Sequence, residues 1–356
     1  MSEPKLAADT KERLLRGMVI PAHPLALDRN RKLDERRQRA LTRYYAAAGA
    51  GGIAVGVHTT QFEIRKPEIG LLEPVLELAA ETMRECEADR DEPLLKVAGI
   101  VGKTPQAVAE AELAVKHGYD LGLVSLSAFK EAGNDEMVAH LAEVSRVIPV
   151  FGFYLQPSVG GRRLDYAFWR EAAEIPNLAG IKVAPFNRYD SIDVVRAVVD
   201  SGRAGDIALY TGNDENIYLD LLTTWRFGSG KKESASFSGG LLGQWAVWTS
   251  RAVEDLQELR QIRQSGQPVP AELLTRATRL TDANAAIFDA ANGFAGCIPG
   301  IHEILRRQGL LEGLWTLDPE ETLSPGQAGE IDRVCRMYPE LQDNSFVEAH
   351  LDEWLR

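Results

Sequence analysis

The stretch that decides the fold is residues 178–186, Leu-Ala-Gly-Ile-Lys-Val-Ala-Pro-Phe, an apolar run that a single lysine interrupts. Asn177 precedes the run, and Pro185 stands near its end. A short continuous apolar run of this kind is typical of a strand buried on both faces in a parallel sheet. The lysine, Lys182, is the unusual residue, because burial disfavours the charged form of its side chain.

Two interpretations of Lys182 are open. Desolvation lowers the pKa of a buried lysine, and the neutral amine that results can attack a carbonyl carbon. Alternatively, the flexible stem of Lys182 carries the ammonium group out of the strand end into water. The segment alone does not separate the two interpretations, so the rest of the chain decides between them.

Similar apolar runs alternate with helical patterns from residue 18 to residue 240. The eight predicted strands lie at 18–23, 52–57, 94–101, 121–127, 149–155, 178–185, 207–213 and 233–240. The predicted helices between them lie at 34–48, 74–89, 104–117, 135–146, 165–174, 189–201 and 215–226. This alternation indicates the α/β class and a (β/α)8 TIM barrel. A doubly wound sheet is the alternative, but the glycine fingerprint of its first turn is absent.

The pattern divides the chain into three predicted regions. Residues 1–16 are charged and are interpreted as an N-terminal arm, and residues 17–240 form the (β/α)8 barrel as the catalytic domain. Residues 241–356 are interpreted as a C-terminal helical extension. It has helical patterns with no strand between them, at 241–264, 270–292, 299–309, 326–338 and 345–355.

The composition indicates a soluble globular protein, with 45% hydrophobic and 26% charged residues. A net charge of −12 disfavours a nucleic-acid partner. The three cysteines, Cys86, Cys297 and Cys335, lack zinc spacing and suit a reducing compartment. Because no signal peptide or transmembrane stretch is evident, we expect a cytoplasmic protein that binds no membrane.

Polar residues stand at the ends of the predicted strands, where TIM barrels place their active sites. They are His23 after the first strand, His58, Thr59 and Thr60 after the second, Tyr154 on the fifth, Lys182 on the sixth, Asn213 and Asp214 after the seventh, and Ser238 on the eighth. Polar strand ends face water on any barrel, so most of this set is expected without a function. The specific signal is a lysine and a tyrosine on adjacent strands.

The motifs around these two residues resemble those of the dihydrodipicolinate synthase / N-acetylneuraminate lyase superfamily. Gly-Ile-Lys at 180–182 is similar to the strand that carries its Schiff-base lysine, and Tyr154 with Pro157 resembles its Y-N-x-P motif. Tyr154 precedes Lys182 by 28 positions, a separation like that in the family. Thr59-Thr60 stands where the family has a carboxylate-binding turn, and residues 211–214 resemble its S-G-D-D segment. The resemblance covers roughly residues 17–310.

The resemblance implies a lyase of the class I aldolase type that acts on a 2-oxo acid, either of pyruvate type or a sugar acid. Lys182 would form the Schiff base, and Tyr154 would carry protons. Thr59 and Thr60 would bind the carboxylate. The other substrate contacts would come from His23, His58, Asn213, Asp214 and Ser238. The resemblance also implies a homotetramer or homodimer.

Two departures indicate a branch other than dihydrodipicolinate synthase. The synthases carry paired tyrosines after the fourth strand, where this chain has Ser127-Ala128-Phe129. Their arginine after the tyrosine motif is replaced by Val159. A dehydratase of a keto-deoxy sugar acid that uses the same lysine is therefore an alternative to an aldolase.

Two alternatives of other classes remain. The first is a 2-oxo-acid-binding protein on the same barrel without catalytic activity. The second is a metal enzyme in which His23 and His58, with Glu63 or Asp214, bind a divalent cation. Because the sequence has no HxH or HxxxH spacing, we expect neither a metal nor another cofactor.

Overall fold

The structure is a computed structural model that describes residues 4–228 and 233–356. Eight parallel strands make one sheet, β1 (Val19–Pro21), β2 (Gly52–Val55), β3 (Leu95–Ile100), β4 (Leu121–Val124), β5 (Val150–Leu155), β6 (Leu178–Ala184), β7 (Ala208–Thr211) and β10 (Gly239–Leu242). Their order is β1-β10-β7-β6-β5-β4-β3-β2. A parallel bridge from Ala22 to Ala54 joins the two ends of the sheet, so the predicted TIM barrel is confirmed.

The helices that follow the strands pack around the outside of the barrel. They are α2 (Glu35–Ala47), α3 (Leu72–Cys86), α4 (Thr104–Lys116), α5 (Asn134–Ser145), α6 (Tyr166–Ala172), α7 (Arg188–Asp200) and α8 (Ile217–Leu222). Local capping sets several of their starts, as the sequence predicted. The carboxylates of Asp34 and Asp165 accept the backbone N–H groups of Arg37 and Phe168, respectively.

Two hydrophobic clusters hold the barrel together. One fills its interior with side chains such as Val97, Phe151, Phe153 and Tyr210. The other, larger cluster lies between the strands and the surrounding helices. Side chains of a strand alternate between these two clusters, because successive residues point to opposite faces.

The predicted N-terminal arm contains helix α1 (Ala8–Arg16), and residues 1–3 of that arm lie outside the described residues. The helix packs against the N-terminal end of the barrel. Leu14 belongs to the interior cluster, and its carbonyl oxygen accepts the Tyr210 hydroxyl at 2.9 Å. The arm is therefore a plug for the end of the barrel that lies opposite the mouth.

The eighth strand lies further along the chain than the sequence indicated. Residues 234–235 form β9, which pairs antiparallel with β8 (Trp225–Arg226), and the barrel strand is Gly239–Leu242. The predicted domain boundary at residue 240 therefore falls inside β10, and residues 229–232 lie outside the described residues. Glycines weaken the sequence signal of a strand. They are needed here, because a Cβ on Gly239 would lie 2.3 Å from the Met18 carbonyl oxygen.

The chain after the barrel is helical, as predicted. It contains α9 (Thr249–Ser265), α10 (Ala271–Ile287), α11 (Cys297–Arg307), α12 (Gln327–Met337) and α13 (Asn344–Trp354). Within residues 4–228 and 233–356, no helix is both long enough and apolar enough to cross a bilayer.

Candidate active site

A cavity of about 70 Å³ lies at the C-terminal end of the strands, and Lys182 lines it. Lys182 is the fifth residue of β6, and only 9% of its surface is exposed. Its Nζ lies 4.5 Å from the centre of the Phe153 ring on the neighbouring strand. The side chain therefore points into the mouth of the barrel, and not along the outer wall.

The surroundings of Lys182 favour a neutral amine. Burial lowers the pKa of the ammonium group to about 8, although the negative charge of Asp214 acts in the opposite direction. Throughout the part of the chain that the structure describes, no carboxylate oxygen lies within 4.0 Å of Nζ. The amine is therefore not held in a permanent ion pair.

Gly212 makes room for the lysine. A Cβ on this residue would lie 2.7 Å from Cε of Lys182 and 2.7 Å from Cβ of Ala184. Any side chain at position 212 would therefore push the lysine out of its place. This glycine directly follows β7, so the close approach is a property of the neighbouring strand and not of the lysine segment itself.

Asp214 is the carboxylate that shares the cavity with Lys182. Its Oδ1 accepts the backbone N–H of Gln244 at 2.9 Å, which fixes the side chain at the mouth. Burial raises the pKa of Asp214 to about 7, while the Gln244 N–H and the positive charge of Lys182 lower it. A carboxyl group that titrates near neutrality can both give and take a proton there.

The turn after β2 contributes His58 and Thr59 to the cavity. The Thr59 hydroxyl makes only a long bond of 3.3 Å to the carbonyl oxygen of His23. Burial and the charge of Lys182 lower the pKa of His58 to about 4, so this imidazole is neutral at neutral pH. Both side chains can therefore form hydrogen bonds to a bound molecule.

Thr60 shapes this turn and does not line the cavity. Its hydroxyl accepts the backbone N–H groups of Gly56 at 3.0 Å and Val57 at 3.2 Å, and it donates to His23 O at 2.7 Å. Its hydrogen-bonding capacity is used within the protein. The predicted carboxylate contact from Thr60 therefore does not match the structure.

Three other predicted contact residues also lie away from the cavity. The His23 ring is fully buried and bonds Thr42 Oγ1 at 2.8 Å on α2, on the outer side of the strand. The Asn213 amide bonds Ser191 Oγ at 3.1 Å and Asp220 Oδ2 at 3.0 Å. Ser238 precedes β10, so it lies at the N-terminal end of the barrel, opposite the mouth. These three assignments are corrected by the placement of the side chains.

Tyr154 is the largest correction. The residue paired with Lys182 across the two strands is Phe153, while Tyr154 pairs with Val183. An irregularity in the pairing at Val150–Phe151 sets this register, so Phe153 faces the interior and Tyr154 faces the helices.

The Tyr154 hydroxyl accepts the backbone N–H of Leu164 at 3.1 Å, and its ring packs on Trp169 with centres 5.9 Å apart. Burial raises the pKa of this phenol to about 12, which keeps it protonated at neutral pH. The structure therefore does not bring Tyr154 and Lys182 together at one site.

We expect Tyr154→Phe to change stability more than activity. The substitution leaves the buried N–H of Leu164 without its acceptor, which costs about 1–3 kcal/mol in the free energy of unfolding. Urea unfolding should detect this loss, while turnover of a 2-oxo acid should change by less than about tenfold, because the hydroxyl does not reach the cavity. A drop of 10² or more in kcat with unchanged stability would restore the tyrosine to the reaction.

The C-terminal extension supplies part of the lining that the sequence did not indicate. Phe288 follows α10, Phe294 lies in the next loop, and Cys297 and Ile301 belong to α11. Phe186, in the loop after β6, contacts Phe294 edge to face with ring centres 5.7 Å apart. One signal in the sequence could have suggested these residues, namely the aromatic pair in the Pro-Phe and Gly-Phe segments that follow Lys182 and α10.

No group of three or more His, Cys, Asp or Glu residues suited to a metal ion occurs within the described ranges. His23 faces α2 and His58 faces the cavity, so the two histidines do not share a site. The alternative with a metal held by this pair therefore lacks its ligand set.

Comparison with known proteins gives a likeness in three-dimensional structure. No protein-family model matches the sequence, and no curated protein matches it. N-acetylneuraminate lyase from Fusobacterium nucleatum, complexed with pyruvate, superposes with a TM-score of 0.69 at 16% identity, over 92% of this chain and 99% of that chain. Dihydrodipicolinate synthase from Bacteroides thetaiotaomicron gives a TM-score of 0.68 at 17% identity, over 95% of this chain and 100% of that chain.

Chloride-inhibited dihydrodipicolinate synthase from Acinetobacter baumannii, complexed with pyruvate, gives a TM-score of 0.71 at 16% identity, over 90% of this chain and 98% of that chain. The likeness to the superfamily that the motifs indicated is therefore confirmed at the level of the fold. At identities this low the agreement concerns the fold, and function has to be argued from the site.

Proposed function

We propose that this protein is a Schiff-base-forming lyase that acts on a 2-oxo acid through Lys182. The observation that carries the proposal is the position of this amine. It lines a cavity at the mouth of the barrel, its pKa is lowered by burial to about 8, and it is not ion-paired. These are the properties that a nucleophilic lysine requires.

The reaction begins with attack of the neutral Nζ on the ketone carbon. Loss of water then gives an iminium ion that joins the lysine to the substrate. The iminium withdraws electrons, so a carbon–carbon or carbon–oxygen bond further along the substrate can break and leave its electron pair on the enamine. Protonation of the enamine and hydrolysis return the free amine and a 2-oxo acid.

Asp214 is the proton carrier in this scheme, in the place that the sequence assigned to Tyr154. It is the carboxyl group of the cavity, and its pKa of about 7 suits transfer in both directions. The backbone N–H of Gln244 orients it. Tyr154 faces the helices and has no route to the iminium.

The carboxylate of the substrate is placed at the turn after β2. The hydroxyl of Thr59 and the first backbone N–H groups of this turn are suitable donors, because such N–H groups have no partner within the turn itself. His58 adds a neutral imidazole. Two structures with the same fold are complexes with pyruvate, which supports a 2-oxo acid as the ligand.

The direct test is reduction of the protein with borohydride in the presence of pyruvate. A Schiff base would be converted into a stable secondary amine, and peptide mass mapping would locate it. We expect one adduct, on Lys182. The absence of any adduct with pyruvate and with a panel of other 2-oxo acids would contradict the proposal.

The pH dependence of this trapping is a second prediction. Only the neutral amine attacks the ketone, and its fraction rises as the pH increases through the pKa of about 8. Trapping by cyanoborohydride at a fixed low pyruvate concentration should therefore rise about tenfold per pH unit below that pKa and level off above it. A rate that still rises steeply at pH 10 would indicate an ordinary exposed lysine.

A 2-oxo-acid-binding protein without turnover is the second candidate. The position of Tyr154 favours it, because the phenol that would carry protons is absent from the cavity. Pyruvate would then bind, and Lys182 could be trapped, but no bond of the substrate would be cleaved. Release of pyruvate from a panel of candidate 2-oxo acids distinguishes a lyase from such a protein.

A further inference from the structure

The polar groups of the cavity stand on the side that the barrel forms. Lys182, Asp214, His58 and Thr59 all come from strand ends or from the turns that follow them. They are the groups that the proposed reaction uses on the ketone and on the carboxylate. Gln156, after β5, is a further polar side chain on this side.

The opposite side of the cavity is apolar. It consists of Phe186, Phe288, Phe294 and Ile301, with the thiol of Cys297 among them. Burial raises the pKa of this thiol well above its usual range, so it stays uncharged. The barrel side also adds Leu155 and Val159. A substrate atom beyond the ketone therefore meets carbon and, from the extension, no charged group.

Two of the phenylalanines are held in a backbone conformation that costs free energy. Phe186 has φ 51° and Phe294 has φ 70°, in the left-handed region that non-glycine residues avoid. Their rings nevertheless meet edge to face over the cavity. Strained residues of this kind persist where the surrounding structure determines them, and they cluster at binding sites.

The surrounding structure holds this aromatic side firmly. The Gln327 amide on α12 donates to the carbonyl oxygens of Gly296 at 2.9 Å and Ile287 at 3.1 Å. Asp289 accepts the backbone N–H of Gly296 at 3.0 Å and the Ser324 hydroxyl at 2.5 Å. The loop that carries Phe288 and Phe294 is thus tied at both ends, and it cannot readily turn its backbone polar groups toward a ligand.

We propose that the substrate is a 2-oxo acid whose remaining part is short and apolar, and that the site rejects polyhydroxylated and charged chains. This inference rests on the proposed function. Each hydroxyl placed against the phenylalanines would lose its bonds to water without gaining a partner, and a carboxylate would lose more. The volume of about 70 Å³ adds a limit on length.

A panel of acids, trapped with cyanoborohydride on the unmodified protein, tests the inference. The probes are pyruvate, 2-oxobutanoate, 2-oxopentanoate, 2-oxoglutarate and 2-keto-3-deoxygluconate. We expect half-maximal trapping by 2-oxobutanoate at a concentration at least about tenfold lower than by 2-oxoglutarate or the sugar acid. Equal or stronger trapping by either of the last two overturns the inference and leaves the proposed function intact. Trapping of none overturns both.

The variant Phe294→Asn adds a positional test, because asparagine tolerates a positive φ and carries hydrogen-bonding groups. We expect the preference for 2-oxobutanoate over 2-keto-3-deoxygluconate to fall by about threefold or more. Phe346→Asn is the matched control, since Phe346 packs on Trp354 in α13 and does not line the cavity. An unchanged preference in a folded Phe294→Asn protein would mean that this ring does not meet the substrate, and would overturn the assignment.

Discussion

Replacement of Lys182 by methionine is expected to abolish adduct formation with pyruvate and to lower turnover by at least about 10³-fold. Methionine is similar in length to the lysine stem and lacks the amine, so the strand and the cavity should keep their shape. Because Lys182 is buried with a lowered pKa, the substitution also removes a desolvation cost. The free energy of unfolding should therefore not decrease.

The measurements are borohydride trapping with mass mapping, and pyruvate release in a coupled assay. Lys130→Met is a suitable control, because Lys130 is exposed and lies outside the cavity. It should behave as the unmodified protein in both assays. Adduct on a different lysine, or full turnover in Lys182→Met, would show that the amine at the mouth of the barrel is not the nucleophile.

Replacement of Asp214 by asparagine is expected to separate imine formation from the later steps. Turnover should fall by about 10²–10⁴-fold, because the cavity loses the carboxyl group that transfers protons near neutral pH. Imine trapping should persist. The negative charge of Asp214 raises the pKa of Lys182, so its removal should shift the pH profile of trapping to lower pH.

The opposite shift of that profile, or the loss of trapping together with turnover, would contradict the role of Asp214 as proton carrier. Asparagine keeps an oxygen that can accept the Gln244 N–H, so the turn after β7 should retain its shape. Asp352→Asn is the control for a change of charge alone, because Asp352 is exposed on α13. It should leave both assays unchanged.

Much of the architecture was predictable because it depends on short-range patterns. Apolar runs of strand length alternate with amphipathic segments, and residues such as Asp34 and Asp165 cap the helices that follow them. The eighth strand was misplaced for the same reason. Ser-Ala-Ser-Phe-Ser at 234–238 has the alternation of a strand, whereas Gly239 and Gly240 do not.

The candidate site was predicted only in part. Lys182, His58, Thr59 and Asp214 line the cavity as the sequence indicated. Tyr154, Thr60, His23, Asn213 and Ser238 do not line it. For Tyr154 the separation from Lys182 in the sequence was suggestive, but an irregularity in strand pairing reversed the faces of β5. No local pattern reports such a register.

The amino-acid sequence by itself determined the order of strands and helices and the presence of a buried lysine in the sixth strand, because these follow from the spacing of apolar residues. Tertiary structure decided which neighbour shares the cavity with that lysine, since Phe153 and not Tyr154 faces it. It also placed Phe288 and Phe294 from the extension over the mouth. Both depend on contacts between residues far apart in the chain, and pairing across strands or packing of distant helices leaves no periodic trace in the sequence.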